Sequence, residues 1–185
     1  MTTRATGRQR GLTLLELVIA MVVAALLLSL AVPSFADWLA RHRLQAAASH
    51  LVADLGEARH EAVRLGRPLH VVFRTGSDWC YAIALDAQAD CRRPGHPVLK
   101  SANARQHPGV TLLDAAPLAF DGRSGVRSGV RSDVRSGALN GAQPGVALGA
   151  HLVSARGDQL MVQVSALGRP TLCAPARAAL KPACS

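Results

Sequence analysis

From Leu12 to Val32 the chain carries only three polar side chains, Thr13, Glu16 and Ser29. At about 1.5 Å per residue such a run reaches about 30 Å, the thickness of a bilayer's hydrocarbon core. It reads as one membrane-crossing helix at the amino end, so the rest of the chain must form a domain on one side of the membrane. The charged exception matters more than the run. An ionised carboxylate within a spanning helix costs roughly 2.5 to 3.5 kcal/mol on insertion scales, so Glu16 calls for a cation. If the chain is cut after Gly11, Leu12 becomes the first residue and Glu16 lies one helical turn inside. The new ammonium of a neighbouring copy can then pair with Glu16 at the same depth.

The stretch Arg8-Gln9-Arg10-Gly11-Leu12-Thr13-Leu14-Leu15-Glu16-Leu17 resembles the class III leader and cleavage site of type IV pilins and type II secretion pseudopilins. The resemblance implies that prepilin peptidase cuts after Gly11, that the new amino group of Leu12 is methylated, and that Glu16 guides the subunit into a filament. An ordinary secretory signal peptide is the competing reading. Arg4, Arg8 and Arg10 would form its basic region, with Ser29-Leu30-Ala31 or Ser34-Phe35-Ala36 as cleavage site. The apolar run is longer than the usual ~7 to 15 residues of such peptides, and an internal Glu serves nothing in a peptide that is discarded. A simple single-span anchor is the remaining alternative.

The 185 residues carry a formal charge of +9. Loss of Arg4, Arg8 and Arg10 with the leader leaves 18 basic against 12 acidic residues, so the mature chain stays basic. Positive residues before the span and none within it hold the amino end in the cytoplasm and send the domain outward, which in a bacterium is the periplasm. The expected localisation is therefore the inner membrane, single-pass, with the carboxy-terminal domain periplasmic. Cys80, Cys91, Cys173 and Cys184 suit an oxidising compartment, and none has the C-x-x-C spacing of a zinc site. Of the three connectivities, the two local ones, Cys80 with Cys91 and Cys173 with Cys184, are favoured. Free buried thiols are the alternative.

Beyond the span, Pro33 is expected to kink the helix rather than end it. Ala36, Ala40, Leu44, Ala47, Leu51, Leu55, Ala58, Ala62 and Leu65 then recur at steps of three and four, the period of a buried helical stripe. Gly66 and Pro68 stop the helix. Leu69, Val71 and Phe73 alternate with His70 and Arg74, and Trp79, Tyr81, Ile83 and Leu85 alternate with Cys80, Ala82 and Ala84. The spacing predicts two half-buried strands joined by the turn Thr75-Gly76-Ser77-Asp78. Residues 110–113, 146–153 and 159–165 are further strands, the last two joined at Arg156-Gly157-Asp158. One long helix followed by an antiparallel sheet is an α+β order, the fold that the resemblance to pilins also implies. Its divisions are a leader at 1–11, a membrane half of the helix at 12–33 and a periplasmic domain at 34–185.

Pro33-Ser34-Phe35, Arg43-Leu44-Gln45-Ala46-Ala47, the segment Leu51 to Arg64, and Val164-Ser165-Ala166-Leu167-Gly168-Arg169 closing as a tail strand at Cys173 resemble the GspH/FimT group of minor pseudopilins and minor pilins. The middle of the chain resembles no family. There Arg123, Arg127, Arg131 and Arg135 recur every four residues among Gly, Ser and Val. That composition argues against a helix and reads as a flexible Arg/Gly/Ser loop at about 121–145, either a low-complexity expansion without a task or a contact for an anionic polymer. Some FimT proteins bind DNA through a Gly-Arg-x-Arg motif in the last strand. Gly168-Arg169-Pro170-Thr171 keeps its first Arg and lacks its second. Possible DNA-contacting residues are thus Arg169, Arg123, Arg127, Arg131 and Arg135.

No nucleophile elbow, Walker loop, dinucleotide fingerprint or H-E-x-x-H pair occurs. His42, His50 and His60 read as surface or satisfied core residues. Asp54, Glu57 and Glu61 read as helical ion-pair partners of Arg41, Arg59 and Arg64. A structural subunit without enzymatic activity, cofactor or metal is expected. The implied partners are prepilin peptidase, other pilins or pseudopilins in a filament, and the inner-membrane assembly platform. The type II secretion pseudopilus is the first assignment, and a type IV pilus with DNA uptake is the alternative.

Overall fold

In a computed structural model of the chain, the described residues are 13–93, 97–125, 127–128, 146–175 and 184. They fall into two compact units, Met1–Trp38 and Leu39–Ser185. A single helix, α1, runs Leu14–Leu65 and belongs to both, with its helical assignment continuous through Pro33.

The first unit is the amino-terminal part of α1. The Thr13 hydroxyl accepts the backbone N–H of Glu16 at 3.2 Å, so Thr13 caps the helix and Glu16 occupies its third position. Thr-x-x-Glu is the capping-box spacing, and a carboxylate there complements the positive end of the helix dipole. Past this turn, Leu17, Val18, Ile19, Met21, Val22, Val23, Leu26, Leu27 and Leu28 are all exposed. By length and composition this part of the helix can cross a membrane. Ser29 donates its hydroxyl to the Leu26 carbonyl at 2.7 Å, which satisfies the one polar side chain in mid-run. Phe35 and Trp38 stack with ring centroids 5.7 Å apart.

In the second unit, α1 buries Leu44, Ala47, Ala48, Leu51, Leu55, Ala58 and Ala62, a stripe with the expected period. Nine strands follow among the described residues: β1 (Leu69–Arg74), β2 (Cys80–Ala84), β3 (Val98–Asn103), β4 (Val110–Ala115), β5 (Leu118–Phe120), β6 (Arg127–Ser128), β7 (Val146–Ser154), β8 (Gln159–Ser165) and β9 (Pro170–Cys173). They form two antiparallel sheets, ordered β3-β2-β1-β5-β6 and β4-β7-β8-β9. Both sheets contribute to the same core as α1: Val71, Tyr81, Ile83 and Phe120 from the first, and Leu112, Leu152, Val162 and Val164 from the second. A bridge between Gly76 and Leu112 joins the β1–β2 turn to β4, with Gly76 N–H donating to the Leu112 carbonyl at 2.8 Å. Gly76 adopts φ 109°, which disfavours any side chain there.

The architecture is the expected α+β one, with differences in detail. β2 is buried on both faces, not half-buried. The face opposite the core carries Cys80, which is bonded to Cys91, with Ala82 and Ala84 of the same face fully buried. The second disulfide joins Cys173 to Cys184. The tail read as one strand from Val164 to Arg169 is instead a hairpin. β8 ends at Ser165, whose carbonyl accepts the Gly168 N–H at 2.9 Å, and β9 returns from Pro170. Gly168 permits this with φ 74°. Strands β3, β5 and β6 have no counterpart in the sequence reading, and β9 is the part of the expected tail strand that closes at Cys173.

Candidate functional site

Of the residues assigned to processing and assembly, Gly11 and Leu12 lie outside the described residues. Glu16 stands in the first turn of α1, exposed like the apolar side chains around it. A carboxylate on such a surface can accept a charge-assisted hydrogen bond from an ammonium or stay hydrated, and within a membrane only the first is favourable.

The arginine residues divide differently. Arg131 and Arg135 lie outside the described residues, and Arg127 belongs to β6, which pairs with β5 through Phe120. The root of the arginine tract is built tightly. Asp121 accepts the backbone N–H groups of Arg123 and Ser124, each at 3.0 Å, and the Ser124 hydroxyl at 2.9 Å. Those bonds, led by the Ser124 hydroxyl, hold the Asp121 carboxyl below the usual carboxylate range. Gly125 then takes φ 63°, and its carbonyl accepts Nε of Arg59 from α1 at 3.1 Å.

Two further glycines complete the corner. A Cβ on Gly122 would lie 2.4 Å from the Arg67 nitrogen, and one on Gly168 would lie 2.4 Å from the Gly125 oxygen. The end of α1, the start of the arginine tract and the β8–β9 turn therefore meet at one place. Arg123 and Arg169 both flank it and are exposed. Arg59 was missed as a member of this corner, because its helical neighbours Glu57 and Glu61 suggest only local pairing. A glycine at the root of the tract and another before Arg169 were the available signals.

The acidic residues of α1 also differ from expectation. Glu61 does pair with Arg64, but Asp54 is 1% exposed and reaches across to the sheet. It accepts the Tyr81 hydroxyl at 2.6 Å and lies 2.7 Å from Nζ of Lys100 on β3. Lys100 also donates to Glu57 at 2.6 Å. Burial first, then the bond to Asp54, pushes the Tyr81 hydroxyl pKa up, and the bonds to Asp54 and Glu57 push the Lys100 ammonium up. A buried carboxylate with two partners of this kind is a satisfied link between helix and sheet edge. Arg41, expected to pair along the helix, lies 3.5 Å from Asp158 in the β7–β8 turn instead. Beside the Asp54 link a small cavity of about 190 Å³ is lined by Glu57, Glu61, Leu69, Ile83 and Leu99.

Residues 47–168 match the family described as type II transport protein GspH, and residues 6–32 match the prokaryotic N-terminal methylation motif. No curated protein matches the chain. The fold is similar to the crystal structure of the type IV minor pilin FimU of Pseudomonas aeruginosa in space group P21. The TM-score is 0.51 at 21% identity, over 74% of this chain and 95% of FimU. A second FimU crystal form, P65, gives a TM-score of 0.49 at 21% identity over 72% of this chain and 98% of that one.

Proposed function

The chain belongs to the GspH family of minor pseudopilins and minor pilins, structural subunits with an N-terminal methylation motif, and on that premise we propose that it is a minor pseudopilin of a type II protein secretion system. One observation carries the reading: a single helix presents Glu16 in its capped first turn, stays apolar and exposed through Leu28, and ends as the spine of a GspH-type head. A filament subunit needs that order. The exposed part packs against other subunits once it leaves lipid, and the head is displayed outward in the periplasm.

The mechanism starts with prepilin peptidase cutting after Gly11 and methylation of Leu12. Glu16 then pairs with the terminal ammonium of a neighbouring subunit at the assembly platform, which removes the cost of holding a bare carboxylate in lipid. Glu16→Ala should leave cleavage intact and lower incorporation into sheared filaments severalfold, scored by immunoblot. Normal incorporation would remove Glu16 from the mechanism. A deletion strain separates the machines: loss of exoprotein release alone supports the pseudopilus, whereas loss of DNA uptake or twitching supports a type IV pilus.

The second reading, a pilus subunit that contacts DNA, is favoured by the corner at Gly125 and Gly168, which sets Arg123 and Arg169 beside the same packed joint. Such a surface would bind phosphates without sequence preference and weaken steeply with salt. A gel-shift titration of the full chain in detergent tests it. Binding at low salt that is lost on joint replacement of Arg123, Arg127, Arg131, Arg135 and Arg169 supports the contact; unaffected binding, or none, removes it.

A further inference from the structure

His50 on α1 and His107, just after the 3-10 turn Ala104–Gln106, come together from distant parts of the chain. Nδ1 of His50 lies 3.5 Å from Nε2 of His107. Two imidazole nitrogens bound at about 2.0 to 2.1 Å to one tetrahedral ion stand about 3.3 to 3.4 Å apart, so the pair already has nearly the bite that a single cation requires. A direct hydrogen bond between the rings is the ordinary alternative, and 3.5 Å is beyond its usual range.

The His107 ring is held in advance. His107 stacks on Trp79, with centroids 6.1 Å apart and planes 11° from parallel. Its backbone N–H donates to the Ala104 carbonyl at 3.1 Å, and its own carbonyl accepts the Val110 N–H at 3.3 Å. His50 sits on a regular helix, and its other ring nitrogen lies 3.8 Å from Oδ1 of Asp54. That separation is beyond hydrogen-bond range, so the carboxylate acts on the ring only through its charge. The His50 side chain is 43% exposed, so water reaches the pair. Among the described residues no third His, Cys, Asp or Glu completes a metal cluster. Two nitrogen donors without a carboxylate between them suit a borderline ion and not Mg²⁺ or Ca²⁺, which take oxygen ligands.

We propose that His50 and His107 form a two-imidazole site for one borderline divalent cation, of the Zn²⁺ or Cu²⁺ class, with water in the remaining positions. A bound ion ties α1 to the loop that precedes β4.

Trp79 provides the readout, since an ion on His107 lies beside the indole that stacks on it. The full chain carrying Trp38→Phe retains Trp79 as its only tryptophan. In detergent micelles it is titrated with Cu²⁺ while Trp79 fluorescence is followed. The expected result is saturable quenching at one ion per chain, reversed by EDTA and absent with Mg²⁺ or Ca²⁺. His50→Ala and His107→Gln should each raise the half-saturating Cu²⁺ concentration about tenfold or more. Quenching that does not saturate, that EDTA does not reverse, or that keeps its midpoint in His50→Ala overturns the proposal. If His107→Gln disturbs the fold by circular dichroism, the half-exposed His50→Ala decides alone.

Discussion

Gly168 and Gly157 both close β-turns with positive φ, 74° and 86°, yet their surroundings set them apart. A Cβ at Gly157 meets nothing within 4 Å, whereas at Gly168 it would press on the Gly125 carbonyl. Gly157→Ala should therefore cost only the backbone term, about 1 to 2 kcal/mol. Gly168→Ala should cost about 3 kcal/mol or more, because the backbone of the arginine tract must also move. Urea unfolding of the two variants checks this, and equal losses would show that the Arg59–Gly125–Gly168 joint is not tight. At this scale the sequence was uneven as a guide. Glu16 stands out because a charge in an apolar run has few explanations, and its role in assembly is the proposal made above. Asp54 was misread as a surface partner, since its real partners, Tyr81 and Lys100, are brought to it only by the pairing of β2 with β3.

Among elements, those with unbroken periodicity were read correctly. The helical stripe, the β1–β2 hairpin and the β7–β8 hairpin each repeat their pattern long enough to name themselves. Strand β3 does not, because it is an edge strand whose exposed Val98 and Leu99 and polar Lys100 and Ser101 break alternation. Strand β5 has only three residues, all buried. No pattern within the strand announces the full burial of β2, and the segment tied to Cys80 through Cys91 is the candidate cover. Joint replacement of Cys80 and Cys91 by Ser should release that cover. The chain-entropy model assigns about 3 kcal/mol to a closed loop of this length, so unfolding free energy should fall by about that amount. An unchanged midpoint in urea would mean that Arg74 and Arg92, which bond Asp90 and the Asp78 carbonyl, hold the segment without the disulfide.

For the molecule as a whole, several surface carboxylates are held below their ordinary range in the folded state. Asp90 is lowered chiefly by the backbone N–H of Arg92 and then by Arg74, Asp121 by Ser124 and Arg123, and Glu61 by Arg64. A lowered folded pKa contributes stability that is complete above the unfolded value and is lost as pH falls through the folded one. The head should thus unfold at a lower urea concentration at pH 3 than at pH 7, and Asp90→Asn should narrow the difference. A midpoint independent of pH over that interval would contradict these pairings.

The arginine tract has a consequence of a different order. Residues 123–134 repeat Arg-Ser-Gly-Val, Arg-Ser-Gly-Val and Arg-Ser-Asp-Val; within them Arg127 and Ser128 form β6, which pairs with β5, and the next strand, β7, pairs with β4 and β8. Doubling the length of a connection costs only about 0.6 kcal/mol, so adding or removing a tetrapeptide between β6 and β7 should cost the fold little. The number of arginines in this stretch can therefore change between lineages while the strands before and after it keep their pairings.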